Sequence, residues 1–270
     1  MIQQTSPTKA YHACRTHVSR GMLADLAQRP RLFEGRYITG TLKQKKPTRE
    51  MQLGTAIHAL ALEGRSIGLV PPDSVLAKNG ARSTNAYKEW EETIERSGCI
   101  SVKEDEYETI CRASAALLEH LKKQGIDPAN GIVEKPIYWE RADGVACRAM
   151  PDLIVNPRLC LDVKTTGDIS DSGINSSCFG DFAYWMQPPQ YLEGIEAQYG
   201  YKNCAFVFVF VETAKPYGIR EYSLSANDHA WAVDKRERLI EDLKRRTDWG
   251  DWRDPEEGGI CEFKRPGWVK

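Results

Sequence analysis

Residues 204–212 read CAFVFVFVE, the strongest β signal in the chain, since β-branched and aromatic side chains follow one another without a break. Residues 217–224 read as its neighbouring strand, and strand-like runs precede it at 132–139 (IVEKPIYW), 145–149, 152–155 and 159–164. Apolar residues at three- and four-residue steps predict helices around these strands. One spans 18–29, with Ser19 as N-cap and Met22, Leu23, Leu26 and Ala27 at helical spacing, until Pro30 stops or kinks it. Another, 51–63 (MQLGTAIHALALE), is apolar on nearly all sides and is predicted to be buried. Helices are also predicted over 84–97, 103–124, 181–199 and 226–247, with Pro188 and Pro189 interrupting the third of these. The inner side of 103–124 reads Tyr107, Ile110, Ala113, Leu117, Leu118 and Leu121; that of 226–247 reads Trp231, Val233, Leu239, Ile240 and Leu243. Residues 167–180 form a polar, glycine-containing stretch. This order describes a mixed α/β domain, a mixed central β-sheet flanked by helices. The domain is expected to fill 18–270, with its core at about 51–225 and a C-terminal helix and Trp-rich tail at 226–270. Residues 1–17 are polar and expected to be flexible.

The 37 Lys and Arg balance 38 Asp and Glu, for a formal net charge of −1. No global excess of charge advertises a nucleic-acid or membrane partner, so such a surface must come from local clustering. The most basic window, 15–50, holds nine Lys or Arg against three Asp or Glu, and 235–246 holds six against three. No apolar run approaches the roughly 20 residues of a membrane span. The N-terminal residues lack the apolar stretch of a secretory signal, and the expectation is a cytoplasmic protein. None of the eight cysteines forms a C-x-x-C pair, which argues against a zinc ribbon or a thioredoxin-type redox pair.

The chemistry concentrates at 151–166, PDLIVNPRLCLDVKTT. Two strands flank Asn156-Pro157-Arg158, a turn sequence. With Pro157 at mid-turn, Asp152 and Asp162 face each other across the hairpin, their Cβ atoms about 4.5–5.5 Å apart. Lys164 lies on the same face as Asp162, since side chains alternate along a strand. Facing carboxylates repel each other unless something neutralises them, and a hard divalent cation such as Mg²⁺ does so. Lys164 then stands where it orients a water or stabilises developing negative charge. A surface hairpin with an Asp–Lys pair carries the same short motif. The spacing between apolar strands makes the segment more specific than D-x-K alone.

PD…DVK resembles the signature of the PD-(D/E)xK nucleases, with Asp in place of the commoner Glu. MQLGTAIHALALE resembles the G-x-x-x-H helix of RecB-type nucleases, its histidine being His58. Residues 184–191, YWMQPPQY, resemble the family's Q-x-x-x-Y helix, with Gln187 and Tyr191. The opening VSRGMLADLAQRPRLFEGRY resembles the helix-then-proline start of the same group. The order and spacing, with EGIEAQYG after the Q-x-x-x-Y, look most like the RecE (exonuclease VIII) nucleases, over residues from about 18 to 225.

The resemblance implies a restriction-endonuclease-like core with one or two ions of Mg²⁺ (or Mn²⁺). His58, Asp152, Asp162 and the backbone carbonyl of Val163 would hold metal, and Lys164 would position the attacking water. Glu134 matches an acidic position of RecB-type members. Gln187 and Tyr191, four residues apart on one helix face, would touch a phosphate or brace Lys164, or simply pack. Pro188 and Pro189 fit only if Gln187 begins its helix. Gly54, one turn before His58, leaves room for a ligand near the ring. Candidate DNA contacts are Arg31 and Lys45 in the basic window, Arg148, Thr165 and Thr166. Arg148 can equally pair with Glu140, and the threonines can simply end the strand.

For activity, the resemblance implies a metal-dependent 5′→3′ exodeoxyribonuclease that degrades one strand of linear duplex DNA from an end and leaves 5′-phosphate products. It further implies a ring-like homo-oligomer (tetramer or trimer), a single-strand annealing partner, and a bacterial or phage-encoded role in recombination. A RecB-like endonuclease, a single-strand nuclease of the same fold, or a DNA-binding scaffold that does not cut are the alternatives.

Overall fold

The computed structural model describes residues 7–44 and 46–255. The chain opens with helices α1 (Pro7–Ala13), α2 (Arg20–Gln28) and α3 (Pro30–Phe33), the last running on as a π turn, Glu34–Ile38. Then come α4 (Arg49–Leu62), β1 (Gly68–Leu69), α5 (Asn85–Arg96), β2 (Ile100–Ser101) and α6 (Glu104–Lys123). A strand-rich stretch follows: β3 (Ile132–Val133), β4 (Ile137–Glu140), β5 (Ala146–Ala149), β6 (Leu153–Asn156) and β7 (Leu159–Thr166). The chain continues through α7 (Asp171–Ser176), α8 (Gln187–Tyr199), β8 (Ala205–Glu212), β9 (Ile219–Tyr222) and α9 (Ala226–Trp249). Among the described residues no helix is long and apolar enough to cross a membrane.

Five strands make the central sheet in the order β3-β6-β7-β8-β9. β7 and β8 run parallel and the other pairs antiparallel, so the sheet is mixed. The parallel pair sits in the middle, where both faces are covered. The FVFVFV alternation of β8 serves both layers. Phe206, Phe208 and Phe210 enter one core with Met22, Trp185, Ile195 and Ile240. Val209 and Val211 enter the other, with Ile57 of α4 and Ile110 and Leu117 of α6.

Several expectations need correction. The run 132–139 is two strands, because Glu134 turns out of the sheet at φ 47° and Pro136 removes a backbone donor. β4 then pairs with β5 alone, as a separate hairpin. The polar stretch 167–180 contains α7, capped by Ser170. Within 1–17, α1 is helical and its Tyr11 is buried against the β4–β5 hairpin, where its ring meets Tyr138. On α6, Tyr107 and Leu118 are exposed, while Ile110, Ala113, Ser114, Leu117 and Leu121 face inward. On α9 the buried stripe is Ala232, Arg236, Ile240 and Leu243, and Trp231 and Val233 are exposed. A charged residue thus occupies the inner stripe where apolar periodicity pointed elsewhere. Of the Trp-rich tail, Trp252 is buried and stacked on Phe33, and Trp268 lies outside the described residues.

The basic residues of α9 are largely committed to protein partners. Arg236 donates to Gln190 Oε1 at 2.7 Å and pairs with Glu193 and Glu237. Arg238 pairs with Asp234, and Arg245 and Arg246 share Asp242.

Two contacts carry stability predictions. A Cβ on Gly194 of α8 would stand 2.7 Å from Trp139 Cζ3 of β4. Gly194→Ala gains about 1 kcal/mol of helix propensity. It also incurs an overpacking cost of about 1–3 kcal/mol against a packed indole. A net loss is expected, read as a lower urea midpoint at unchanged slope; a higher midpoint would contradict it. Arg49, at the start of α4, pairs with Glu106 at the start of α6, and Glu106 also accepts the Lys103 N–H at 2.7 Å. The Arg49 hydrogen bond lowers the Glu106 pKa to about 2 despite partial burial. A depressed carboxyl pKa stabilises the fold above the unfolded value of about 4.3 and ceases to do so as pH falls through the folded value. Solvent at Arg49 keeps the contribution to about 1 kcal/mol. Wild type should therefore exceed Glu106→Gln by about that amount at pH 6, and the gap should close between about pH 4 and pH 2. Paired denaturation curves across that range check the prediction.

Candidate active site

The site is assembled at one end of the β6–β7 hairpin. Its rungs are Leu153↔Leu161 and Ile154↔Cys160, and the next step places Asp152 opposite Asp162. The route to that register differs from the expected one. The turn residues are Pro157 and Arg158, so Asn156 pairs with Leu159, and an irregularity between Ile154 and Asn156 restores the pairing. Asp152 is anchored by the Val163 N–H, which donates to its Oδ2 at 2.6 Å. Both carboxylates are buried, Asp162 to 1% exposure.

Helix α4 delivers His58. Gly54, one turn earlier, lets the helix approach β7: a Cβ there would stand 2.6 Å from Thr165 Oγ1. The space expected for a ligand at Gly54 therefore holds the Thr165 side chain. His58 Nδ1 lies 3.6 Å from Asp152 Oδ2 and 3.8 Å from Glu134 Oε1. Glu134 arrives by its left-handed backbone turn, just after its N–H donates to the Asp152 carbonyl at 3.1 Å. One ligand atom from each of His58, Glu134 and Asp152 lies within 4.8 Å of the others.

Electrostatics favour a cation between these groups. Burial alone would lower the His58 pKa, but the Asp152 and Glu134 carboxylates outweigh it and raise it. Burial raises the Glu134 pKa, the Asp152 charge adds to the rise, and only His58 opposes. One imidazole and two carboxylates form a donor set suited to a divalent ion such as Mn²⁺ or Mg²⁺.

Asp162 stands outside that triad and has its own partners. The Lys164 ammonium donates to Asp162 Oδ1, and Gln187 Nε2 donates to Asp162 Oδ2 at 2.9 Å. Gln187 is the first residue of α8, so Pro188 and Pro189 fall in the first turn, where a missing N–H costs nothing. The same Gln187 Nε2 donates to the Tyr191 hydroxyl at 3.2 Å, while Gln187 Oε1 is buried with no partner. Burial pushes the Tyr191 phenol well above its usual range. Burial also brings the Lys164 ammonium down to about 8, against the pull of Asp152.

The candidate DNA contacts scatter. Arg31, at the surface on α3, pairs with Glu34 at 3.2 Å, and Lys45 lies outside the described residues. Thr165 faces Gly54, and Thr166 Oγ1 exchanges hydrogen bonds with the Asp168 backbone, closing the strand. Arg148 makes no pair with Glu140. It is 4% exposed, its guanidinium lies 4.6 Å from the Tyr11 ring centroid, and Nε and Nη1 have no partner. Sequence reasoning passed over two neighbours of Lys164. Tyr184, whose ring centroid is 4.9 Å from Lys164 Nζ, stands one turn before Gln187. Arg20, beside the Ser19 cap, approaches the same ring, 5.9 Å from the Tyr184 centroid.

This arrangement, two carboxylates and a lysine at the end of a sheet hairpin, is that of the PD-(D/E)xK nuclease fold. The profile of the PDDEXK-like domain of unknown function (DUF3799) matches residues 36–266, and the chain belongs to that family. A Eubacterium rectale protein assigned as an exonuclease has a similar structure: TM-score 0.61 at 14% identity, covering 98% of this chain and 97% of that one. An alkaline exonuclease from Laribacter hongkongensis matches more loosely, with a TM-score of 0.31 at 11% identity, covering 73% of this chain and 94% of that one. No curated protein matches the sequence.

Proposed function

We propose that this protein is a divalent-metal-dependent deoxyribonuclease that hydrolyses phosphodiester bonds to leave 5′ phosphates. The observation that carries the reading is the meeting of His58, Glu134 and Asp152 beside the Asp162–Lys164–Gln187 chain. His58, Glu134 and Asp152 would hold Mg²⁺ or Mn²⁺, which supplies Lewis-acid polarisation of the phosphate and activation of water. Asp162, outside that set, holds Lys164 in place. Lys164, with a pKa near 8, sits where it orients the water and takes up or balances its proton. Gln187 fixes the Asp162 carboxylate, and Tyr191 braces Gln187 from the next turn of α8. The carboxylates repel DNA in the absence of metal, so cation and substrate binding are coupled.

End-dependent 5′→3′ digestion of one strand of linear duplex is the mode we assign. It rests, as do the ring-shaped oligomer and the annealing partner, on the order and spacing of the motifs, with EGIEAQYG after the Q-x-x-x-Y, which resemble those of RecE-type nucleases. The test is a linear duplex labelled separately at its 5′ and 3′ ends, with a closed circle alongside, in Mg²⁺, Mn²⁺ or EDTA. Early release of the 5′ label with an intact circle and no reaction in EDTA is expected. Cutting of the circle would replace this mode with an endonuclease. No cutting in any metal would leave a DNA-binding scaffold.

A further inference from the structure

Between the catalytic hairpin and α8 the chain makes an exposed aromatic stack. Phe182 is 54% exposed, and its ring lies on Tyr184, with centroids 5.3 Å apart and planes 14° apart. Tyr184 is braced from below by Phe208 and Phe210 of β8. Ala183 between the two rings adopts a left-handed backbone, φ 48°, which a non-glycine residue takes only when its surroundings impose it. Arg20 imposes part of it: Nη1 donates to the Phe182 carbonyl at 2.9 Å while the guanidinium covers Tyr184. Packing leaves Phe182 half exposed at the top of a fixed column, so core formation does not account for its aromatic ring. The column's foot touches the reacting groups, since Tyr184 meets Lys164 Nζ at 4.9 Å.

We propose that the Phe182–Tyr184 stack is a subsite for one unpaired nucleobase of the strand being cut, adjoining the scissile phosphate. The inference rests on the deoxyribonuclease reading for its choice of ligand. An exposed ring, Phe182, stacked on a second ring, Tyr184, that two cations, Arg20 and Lys164, approach matches a nucleotide, a flat ring joined to an anionic phosphate. A base inside a duplex has both faces covered by its neighbours and cannot stack on Phe182. The subsite therefore selects a base that has left its helix, at a frayed end or in a single strand.

The test uses the whole protein and does not need turnover. Single-stranded oligonucleotides carry 2-aminopurine at one position each, walked along the strand, and are bound in Ca²⁺. Stacking quenches the probe. Wild type should quench at one position, Phe182→Ala should lose that quench and bind about tenfold more weakly, and Phe182→Trp should restore both. An abasic nucleotide at that position should weaken wild type by a similar factor and leave Phe182→Ala unchanged. Quenching that survives in Phe182→Ala, absence of quenching at every position, or an abasic penalty equal in both proteins would overturn the subsite. Because Phe182 is exposed, its variants should keep the wild-type circular dichroism. Loss of cleavage everywhere with the quench pattern intact would sink the nuclease reading and leave the subsite. Cleavage without any effect of Phe182 would do the reverse.

Discussion

Lys164→Ala is expected to slow metal-dependent DNA cleavage by about 10²–10⁴-fold, the range for removal of a positioned proton-transfer group. Lys164 is held by Asp162, lies over Tyr184 and has had its ammonium brought down to about 8 by burial. Near pH 8 both of its protonation states are therefore populated, as proton transfer to or from a water requires. The loss should fall on kcat, because Lys164 is paired to Asp162 and only slightly exposed, and so contributes little to holding the rest of the DNA. Removing the ammonium leaves the Asp162 carboxylate with Gln187 as its remaining side-chain donor, so a denaturation curve must accompany the rates. Lys164→Arg separates the two effects. A guanidinium keeps the positive charge beside Asp162 but does not give up its proton at accessible pH. It should recover stability and remain about as slow as the alanine variant. Lys164→Ala cutting within about threefold of wild type would remove Lys164 from the chemistry.

Phe208→Ala is expected to cost about 3–5 kcal/mol of stability, the usual penalty for emptying a large aromatic from a packed core. Phe208 is almost fully buried, packs edge-on against Phe206 at 4.9 Å between centroids, and lies under Tyr184. Its ring belongs to the layer containing α2, α8 and α9, so the cavity would open beneath the aromatic stack and Lys164. Urea unfolding should show a lower midpoint, and cleavage should fall even below the melting temperature. Val209→Ala, one residue along and facing α4 and α6, is the contrast: a smaller stability cost with no specific effect on Lys164. Equal effects of the two on cleavage would mean that Phe208 acts through overall stability alone.

Much of the fold was legible because it depends on short-range periodicity. Ser19 caps α2 through its own side chain, a signal contained in a few adjacent residues. The alternation in β8 announces a strand with cover on both faces. The errors fell where one side chain or backbone turn depends on distant chain. Arg236 sits in the inner stripe of α9 because Gln190, Glu193 and Glu237 satisfy it, and none of its α8 partners can be inferred from α9 itself. Glu134 leaves its strand because the sheet ends there and β4 pairs with β5 elsewhere.

The candidate site divides along the same line. The sequence by itself determined that Asp152, Asp162 and Lys164 share one hairpin, since strand alternation and a proline turn act within sixteen residues, 151–166. The two prolines fit a helix only if Gln187 begins it, and α8 does start there rather than at 181. Only the tertiary structure decided which carboxylates meet His58. Asp152 and Glu134 lie beside the ring, while Asp162 turns to Lys164 and Gln187. It likewise buried Arg148 under Tyr11 and set Phe182 on Tyr184 beside Lys164. Spacing along a strand or helix sets which residues share a face. Contact between segments 76 residues apart, such as His58 and Glu134, depends on the packing of whole layers, here α4 pressed onto β7 through Gly54.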